Sequence, residues 1–309
     1  MSETAGKIIE YAVKEGFTGV GATPVSDADI SALEKWLSKG YNASMEYMGR
    51  NLAIRQRPSL LLEGARSMLV FTIPYPRPLT GKSGEKYAGF ALGRDYHLVI
   101  KEKLHKIAGA ALDKTSAYRV FCDSAPVMER YWAEKCGLGA IGKNNFLITK
   151  ASGARVLIGE ILTTEIFGKE TYAALEKWNI AKDTVHFRPD SCIECDKCIN
   201  ACPNGALKGN GLLDAARCIS YNTIENKESM PEGLDTRGWV LGCEECLLAC
   251  PFCQNGDTAT DDEFRCNALF LSVLGKEGWS KMDTSSFRQR FKGTAFERPG
   301  LEKIKSNIK

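Results

Sequence analysis

Apolar residues recur at helical spacing from Ala5 to Glu15 and the run closes at Gly16, so the pattern predicts an amphipathic helix there. A second helix is expected from Asp27 to Lys39, opened by an acidic cap. Ser67 to Ile73 is instead a short apolar run stopped by Pro74, the pattern of a strand. The helical period returns from Tyr96 to Leu112. Tyr118 to Cys122 then reads as a strand, Val127 to Cys136 as a helix, Asn144 to Thr149 as extended, and Arg155 to Thr163 as a long apolar strand. This alternation predicts a mixed α/β (α+β) class. Gly168 to Phe187 is polar with one helical segment, and a domain boundary is expected near Arg188. The expected division is a first domain over 1–187, a second over 188–270 and a C-terminal extension over 271–309. Turn residues such as Asn204-Gly205 and Gly209-Asn210-Gly211 suit short connections in the second domain.

Composition narrows the class. A chain of 309 residues, 44% hydrophobic, can bury a substantial core and divide in two. The longest apolar stretches, such as Met68 to Ile73, fall far short of the roughly 20 residues that cross a bilayer, so no membrane partner is expected. The start MSETAG lacks a charged segment followed by an apolar one, which points to a cytoplasmic protein. Net charge is only +3, yet Arg288, Arg290, Lys292, Arg298, Lys303, Lys305 and Lys309 face only Glu297 and Glu302 in the last stretch. That cluster reads either as a nucleic-acid patch or as a solvated helix face.

Eight cysteines carry the clearest chemistry. Cys192, Cys195 and Cys198 are spaced by two residues, and Cys202 follows after three, just before Pro203; Cys218 stands alone; Cys243, Cys246 and Cys250 end at Pro251. The first run has the spacing that sets three thiolates on one cubane cluster and sends the fourth to a second cluster. Two clusters in one small module move electrons singly. Disulfides would suit an exported chain, which the start does not suggest. Zinc is the stronger rival, but it predicts two cysteine pairs per metal rather than a comb of three followed by Cys-Pro.

Three further features bear on the site. Gly137, Gly139 and Gly142 match the dinucleotide fingerprint letter for letter, but a helix precedes them and an extended segment follows, the reverse of what that fingerprint needs. Glycine here is expected to let backbone approach a flat ligand or another strand. Asp95, His97 and Ile100 resemble the Asp-x-His-x-x-Gly signature of corrinoid-binding histidines without its glycine; with His97, His105 and His186 as the chain's histidines, metal chemistry through histidine is poorly supported. Asp123 follows an apolar strand and precedes Ser124-Ala125-Pro126, which would lift it to a sheet edge where open α/β sheets hold ligands. As a proton donor it would need burial or a nearby negative group to raise its pKa. Its alternative role is to cap the helix that starts near Val127.

The stretch from Cys122 to Arg130, with Ala133-Glu-Lys135 and the glycine loop through Asn144, resembles the signature of the epoxyqueuosine reductase family. So do Arg55 with Pro58 and Leu60 to Leu62, Gly93 to His97, Arg217 to Tyr221, and Gly242 to Pro251. The resemblance runs in order from the first helix to about residue 300. It implies an oxidoreductase that converts epoxyqueuosine to queuosine at the wobble position of tRNA anticodons, with cobalamin and two [4Fe-4S] clusters as cofactors. It further implies an N-terminal cobalamin-binding domain of nitroreductase or flavin-reductase type, holding the corrinoid base-off without histidine, followed by a ferredoxin-like double-cluster domain. By matching motif, Asp123 is the proton donor, and Arg55, Asp123, Arg130, Asn144 and Ser220 contact the corrinoid. The clusters divide as Cys192, Cys195, Cys198 and Cys250 for one, and Cys202, Cys218, Cys243 and Cys246 for the other. Cys253 stands where the family usually has a bulky residue, which makes it a rival to Cys218. Cys122, Cys136 and Cys266 are expected to be small buried residues.

Partners implied are tRNA carrying epoxyqueuosine and an external single-electron donor of flavodoxin or ferredoxin type, with the protein acting as a monomer. Many members continue into helical repeats that grip tRNA, whereas this sequence ends at Lys309, soon after Phe287 to Thr294, which resembles the start of that region. The other classes kept open are a corrinoid-dependent reductase of a small molecule and an iron-sulfur electron carrier without catalysis.

Overall fold

The computed structural model describes every residue except 1, 183–184, 186–188, 210, 254–260, 267 and 309. His186, Asn210 and the expected boundary at 187/188 lie outside the described residues. At the centre is a four-stranded sheet in the order Gly19–Pro24, Ser67–Pro74, Val156–Thr163, Tyr118–Phe121. Every neighbouring pair is antiparallel, with Ser67 opposite Thr163 and Phe121 opposite Glu160. The class is therefore mixed α/β of the α+β kind. The placement of Asp123 from the rule for open parallel sheets does not apply, because these strands alternate in direction.

Ser67–Pro74 is buried along its whole length because both faces are covered. Leu69, Phe71 and Ile73 face a core shared with the helices Glu3–Lys14 and Tyr96–Ala111 and with Leu175 of Lys169–Ala181. Met68 and Val70, which point the other way along the pleat, meet Trp132 and Ala133 of the Glu129–Lys135 helix. A continuous apolar run, rather than an alternating one, is what a strand between two layers requires.

The second helix begins at Ser31, four residues later than the sequence pattern suggests. Asp29 accepts a hydrogen bond from the Ser31 amide, and the Ala28 amide is taken by the carbonyl of Gln56, so the chain between them is held in a turn. In the glycine loop, Gly139–Ile141 and Leu147–Thr149 form an antiparallel hairpin. A Cβ on Gly139 would lie 2.0 Å from the carbonyl oxygen of Ile148. This glycine is needed for strand contact and not for a dinucleotide.

The cysteine-bearing part is tied to the first by a three-stranded sheet in which Trp239–Leu241 pairs in parallel with Lys86–Tyr87. Tyr87, Val240 and Leu241 sit in one core with Phe270, Trp279, Phe291, Phe296 and Ile304. Trp279 Nε1 donates to the Tyr87 hydroxyl at 2.8 Å inside it. The basic C-terminal stretch thus packs as part of a folded core. Among the described residues no helix is long and apolar enough to cross a membrane.

Candidate active site

Cys192, Cys195, Cys198 and Cys250 line a single cavity together with Lys143, Asn144, Ile148, Pro251 and Phe252. Cys192 and Cys198 reach this cavity from two short helices, Pro189–Ile193 and Lys197–Ala201, with Cys195 in the turn between them, and Cys250 arrives from 52 residues beyond Cys198. The Lys143 amide donates to Cys192 Sγ at 3.4 Å, and its ammonium pairs with Asp196 at 2.7 Å. The glycine loop therefore forms one wall of the thiol cavity. Cys243 feels the charges of Cys218 and Cys202, and Cys246 those of Cys243, Cys218, Cys198 and Cys202, so Cys246 lies near both sets of thiols. The Ala206 amide donates to Cys202 Sγ at 3.2 Å.

Cys253 is buried against Ala154 and Arg155 and shares a thiol hydrogen bond with Cys250, but it does not line the first cavity. Cys122 and Cys136 are buried, as expected, whereas Cys266 is only half-buried.

Asp123 sits just past the edge strand Tyr118–Phe121 in the left-handed region, at φ 56°. It does not cap the next helix, whose N-cap is Met128 with no side-chain cap bond. The Tyr96 hydroxyl donates to Asp123 Oδ2 at 2.6 Å, and His97 Nε2 lies 3.3 Å from the same oxygen. Glu129 accepts the Asp123 amide. Burial pushes the Asp123 carboxyl up, but hydrogen bonds from His97 and Tyr96 and the charges of His97 and Arg130 outweigh it and leave its pKa below the ordinary value. The upward shift that a donor role would need is thus not found on Asp123. It falls instead on Glu129, raised to about 8 by burial and then by the Asp123 charge, and on Glu160, raised by burial and by both of those carboxylates.

Arg130 donates to the carbonyl of Asn145. Arg55 is buried, its Nη2 pointing at the Met48 sulfur 3.8 Å away and its Nε without a hydrogen-bond partner. Asn144 is also buried, and its Nδ2 has none. Ser220 comes from the cysteine-bearing part, in the first turn of Ile219–Ile224, and is half-buried. Sequence reasoning missed Tyr96, Glu129 and Lys143 and set His97 aside. The available signal for His97 was the Asp95-x-His97 pair at the start of a helix.

The C-terminal cations divide. Arg298 makes two bonds to Glu225, and Lys303 is buried with its ammonium donating to the Glu228 carbonyl. Arg288, Arg290 and Lys292 are exposed and form no ion pair among the described residues. Lys309 lies outside the described residues.

Comparison with known proteins places this geometry in context. Residues 55–124 match the family model "Epoxyqueuosine reductase QueG, DUF1730", and residues 191–253 match "4Fe-4S double cluster binding domain". The chain is 34% identical over 303 residues to an epoxyqueuosine reductase of Cyclobacterium marinum, covering 94% of this chain and 91% of that protein. It is 32% identical to one from Leadbetterella byssophila, covering 100% of this chain and 98% of the relative. Among solved structures it resembles an epoxyqueuosine reductase crystallised with an epoxyqueuosine-modified tRNA-Tyr stem loop, at TM-score 0.80 and 25% identity, over 98% of this chain and 79% of that one. With this extent of identity, and with the two matched segments carrying Asp123 and the eight cysteines of the comb and its partners, the chain belongs to the epoxyqueuosine reductase family.

Proposed function

We propose that this protein reduces the epoxide of epoxyqueuosine at the wobble position of a tRNA anticodon to the alkene of queuosine, using two [4Fe-4S] clusters and a corrinoid. One observation carries the reading. Asn144 lines the cavity of four cysteines, the neighbouring Asn145 carbonyl is held by Arg130, and the adjacent Glu129 holds the amide of Asp123. A cluster ligated by Cys192, Cys195, Cys198 and Cys250 would thus be linked through one short set of contacts to the proposed proton donor.

The residues fit a corrinoid. Buried donors without acceptors, such as Arg55 Nε and Asn144 Nδ2, each cost about 1–3 kcal/mol, a deficit that an amide- and phosphate-bearing ligand removes. Burial also lowers the pKa of the Arg55 guanidinium, so an acceptor placed beside it would be favoured. Both ring nitrogens of His97 face carboxylates, which agrees with a corrinoid held without histidine on its metal. When bound, the corrinoid supplies a metal centre able to collect single electrons and pass them to carbon. Arg55, Arg130, Asn144 and Ser220 hold it, and Asp123, whose side chain is 58% exposed, presents an oxygen to the substrate. Cys202, Cys218, Cys243 and Cys246 hold the second cluster. Electrons come from a flavodoxin or ferredoxin type of donor. Arg288, Arg290 and Lys292 meet tRNA phosphates, and the protein works as a cytoplasmic monomer.

Protein reconstituted with iron, sulfide and cobalamin, given a reductant and an anticodon stem loop carrying epoxyqueuosine, is expected to return the stem loop with one oxygen fewer by mass spectrometry. Conversion of the free nucleoside but not the RNA would favour small-molecule chemistry. Reducible clusters with neither conversion would leave an electron carrier. Cys218→Ala is expected to lose half the iron, while Cys253→Ala keeps it all. The opposite result would move the second cluster onto Cys253.

A further inference from the structure

Asp95, His97 and Asp123 form a line of hydrogen bonds that the assigned chemistry does not use. Asp95 is the N-cap of the Tyr96–Ala111 helix and accepts the His97 amide at 2.9 Å. The same carboxylate oxygen lies 2.7 Å from His97 Nδ1, and Asp123 Oδ2 lies 3.3 Å from Nε2. An ionised carboxylate can only accept. Two carboxylates facing the two nitrogens of one ring therefore require one proton more than a neutral imidazole holds. The ring stacks on Tyr96 at 4.0 Å between centroids, which fixes its plane, and Tyr96 donates to the Asp123 oxygen that His97 faces.

We propose that His97 stores the proton that Asp123 delivers to the departing epoxide oxygen, and that Asp95 holds the ring in the orientation and charge state this requires. The proposal rests on the reading of Asp123 as the acid at the substrate. In the step, the Nε2–H bond of His97 breaks and a proton joins Asp123, which passes it to the substrate oxygen. His97 is left neutral and regains a proton from solvent through its partly exposed edge. Over a turnover, the epoxide takes two electrons from the external ferredoxin- or flavodoxin-type donor and two protons by this route, giving the alkene and one water. His97 acts through Asp123 and is a positioning residue; Asp123 is the catalytic one.

Electrostatics agree with the geometry. Burial opposes charge on His97, but the hydrogen bonds it donates to Asp123 and Asp95 and their negative charges raise its pKa to about 9. It is therefore protonated at neutral pH beside an Asp123 that is ionised. The other groups facing this line are Lys101, which is felt by Asp95 and bonds Ser124, Arg130 and Glu129 from the following helix, Glu160 from the sheet and Tyr47 from the opposite segment. Of these Glu129 is raised to about 8, with Asp95 not among the causes of its shift, and Glu160 is raised by burial and by the charges of Glu129 and Asp123.

The test is a pH profile of single-turnover reduction of the modified stem loop by the reconstituted enzyme. In the wild type the rate should hold through neutral pH and fall as pH rises past about 9, where His97 loses its proton. His97→Gln, which can still hydrogen-bond but cannot store a proton, should lower the neutral-pH rate by about 10²-fold or more and abolish that limb, the scale of a lost general acid. Asp95→Asn keeps a good N-cap but removes one of the two charges that raise His97, so the limb should move to lower pH. An NMR titration of the imidazole, one of three in the chain, should show the same downward move without substrate. A His97→Gln enzyme with the wild-type rate and limb, or an Asp95→Asn enzyme with an unmoved titration, overturns the proposal. If Asp123→Asn is inactive while His97→Gln is not, only the relay fails. If Asp123→Asn is fully active, the reading beneath it fails as well.

Discussion

Asp123→Asn should leave iron and cobalamin content at the wild-type level and slow single-turnover reduction by about 10²- to 10⁴-fold, the range that a positioned general acid contributes. The content should hold because the substitution suits the site. Asparagine is among the side chains that best tolerate the left-handed conformation found here, at φ 56°. Its carbonyl can still accept from the Tyr96 hydroxyl. What it cannot do is take up and release a proton. It also removes one of the two carboxylates that raise His97, so that imidazole should move down from about 9 toward its ordinary value. Rapid-quench analysis of the stem loop, alongside iron and corrinoid assays on the same preparation, measures both halves of this result. A variant that turns over at the wild-type rate would remove Asp123 from the mechanism.

Arg155→Leu should destabilise the whole assembly. Arg155 and Glu244 form a buried ion pair at 3.0 Å, with side-chain exposures of 4% and 1%. The pair joins the start of the central Val156–Thr163 strand to the N-cap of the short Glu245–Leu248 helix, between Cys243 and Cys246. Glu244 is held further by the Gly89 amide at 2.6 Å. Removing one partner of a buried pair leaves an uncompensated charge and costs about 3–5 kcal/mol, against a total stability of about 5–15 kcal/mol. A fall in Tm of roughly 6–15 °C is expected on that basis, with loss of iron because the helix start that carries Cys243 and Cys246 loses its seat. Replacing both partners with leucine should recover much of the Tm. A single variant that melts with the wild type and keeps its iron would show that the pair does not hold the two parts together.

Local pattern carried a good deal of this protein. Ser67 to Ile73 could be read as a strand because seven residues without a charge, stopped by a proline, leave little else, and the Tyr96 helix could be read from its period and its Asp95 cap. The cysteine spacing pointed to iron-sulfur chemistry because a cubane corner needs thiolates three residues apart. Asp123 stood out because it followed an apolar run and preceded a proline turn. Each of these signals is local, read from one uninterrupted stretch of chain.

The order and direction of the strands was decided only by tertiary structure, since Ser67–Pro74 and Val156–Thr163 pair across some 90 residues and no short-range pattern encodes the partner. The same holds for charge. Seven cations near the C-terminus look alike in sequence, yet Arg298 is matched by Glu225, Lys303 is buried, Lys305 is half-buried and Lys309 lies outside the described residues, which leaves Arg288, Arg290 and Lys292 as the exposed, unpaired group among the described residues. The state of Asp123 was likewise out of reach: sequence could say what a donor would need, but the neighbours that lower its pKa, Tyr96 and His97, are brought to it by a helix 26 residues away. Residue types and spacings determined which chemistries were available; the packing of helix against strand decided which oxygen faces which nitrogen, because pKa values depend on distances of a few ångströms between groups that the chain itself holds far apart.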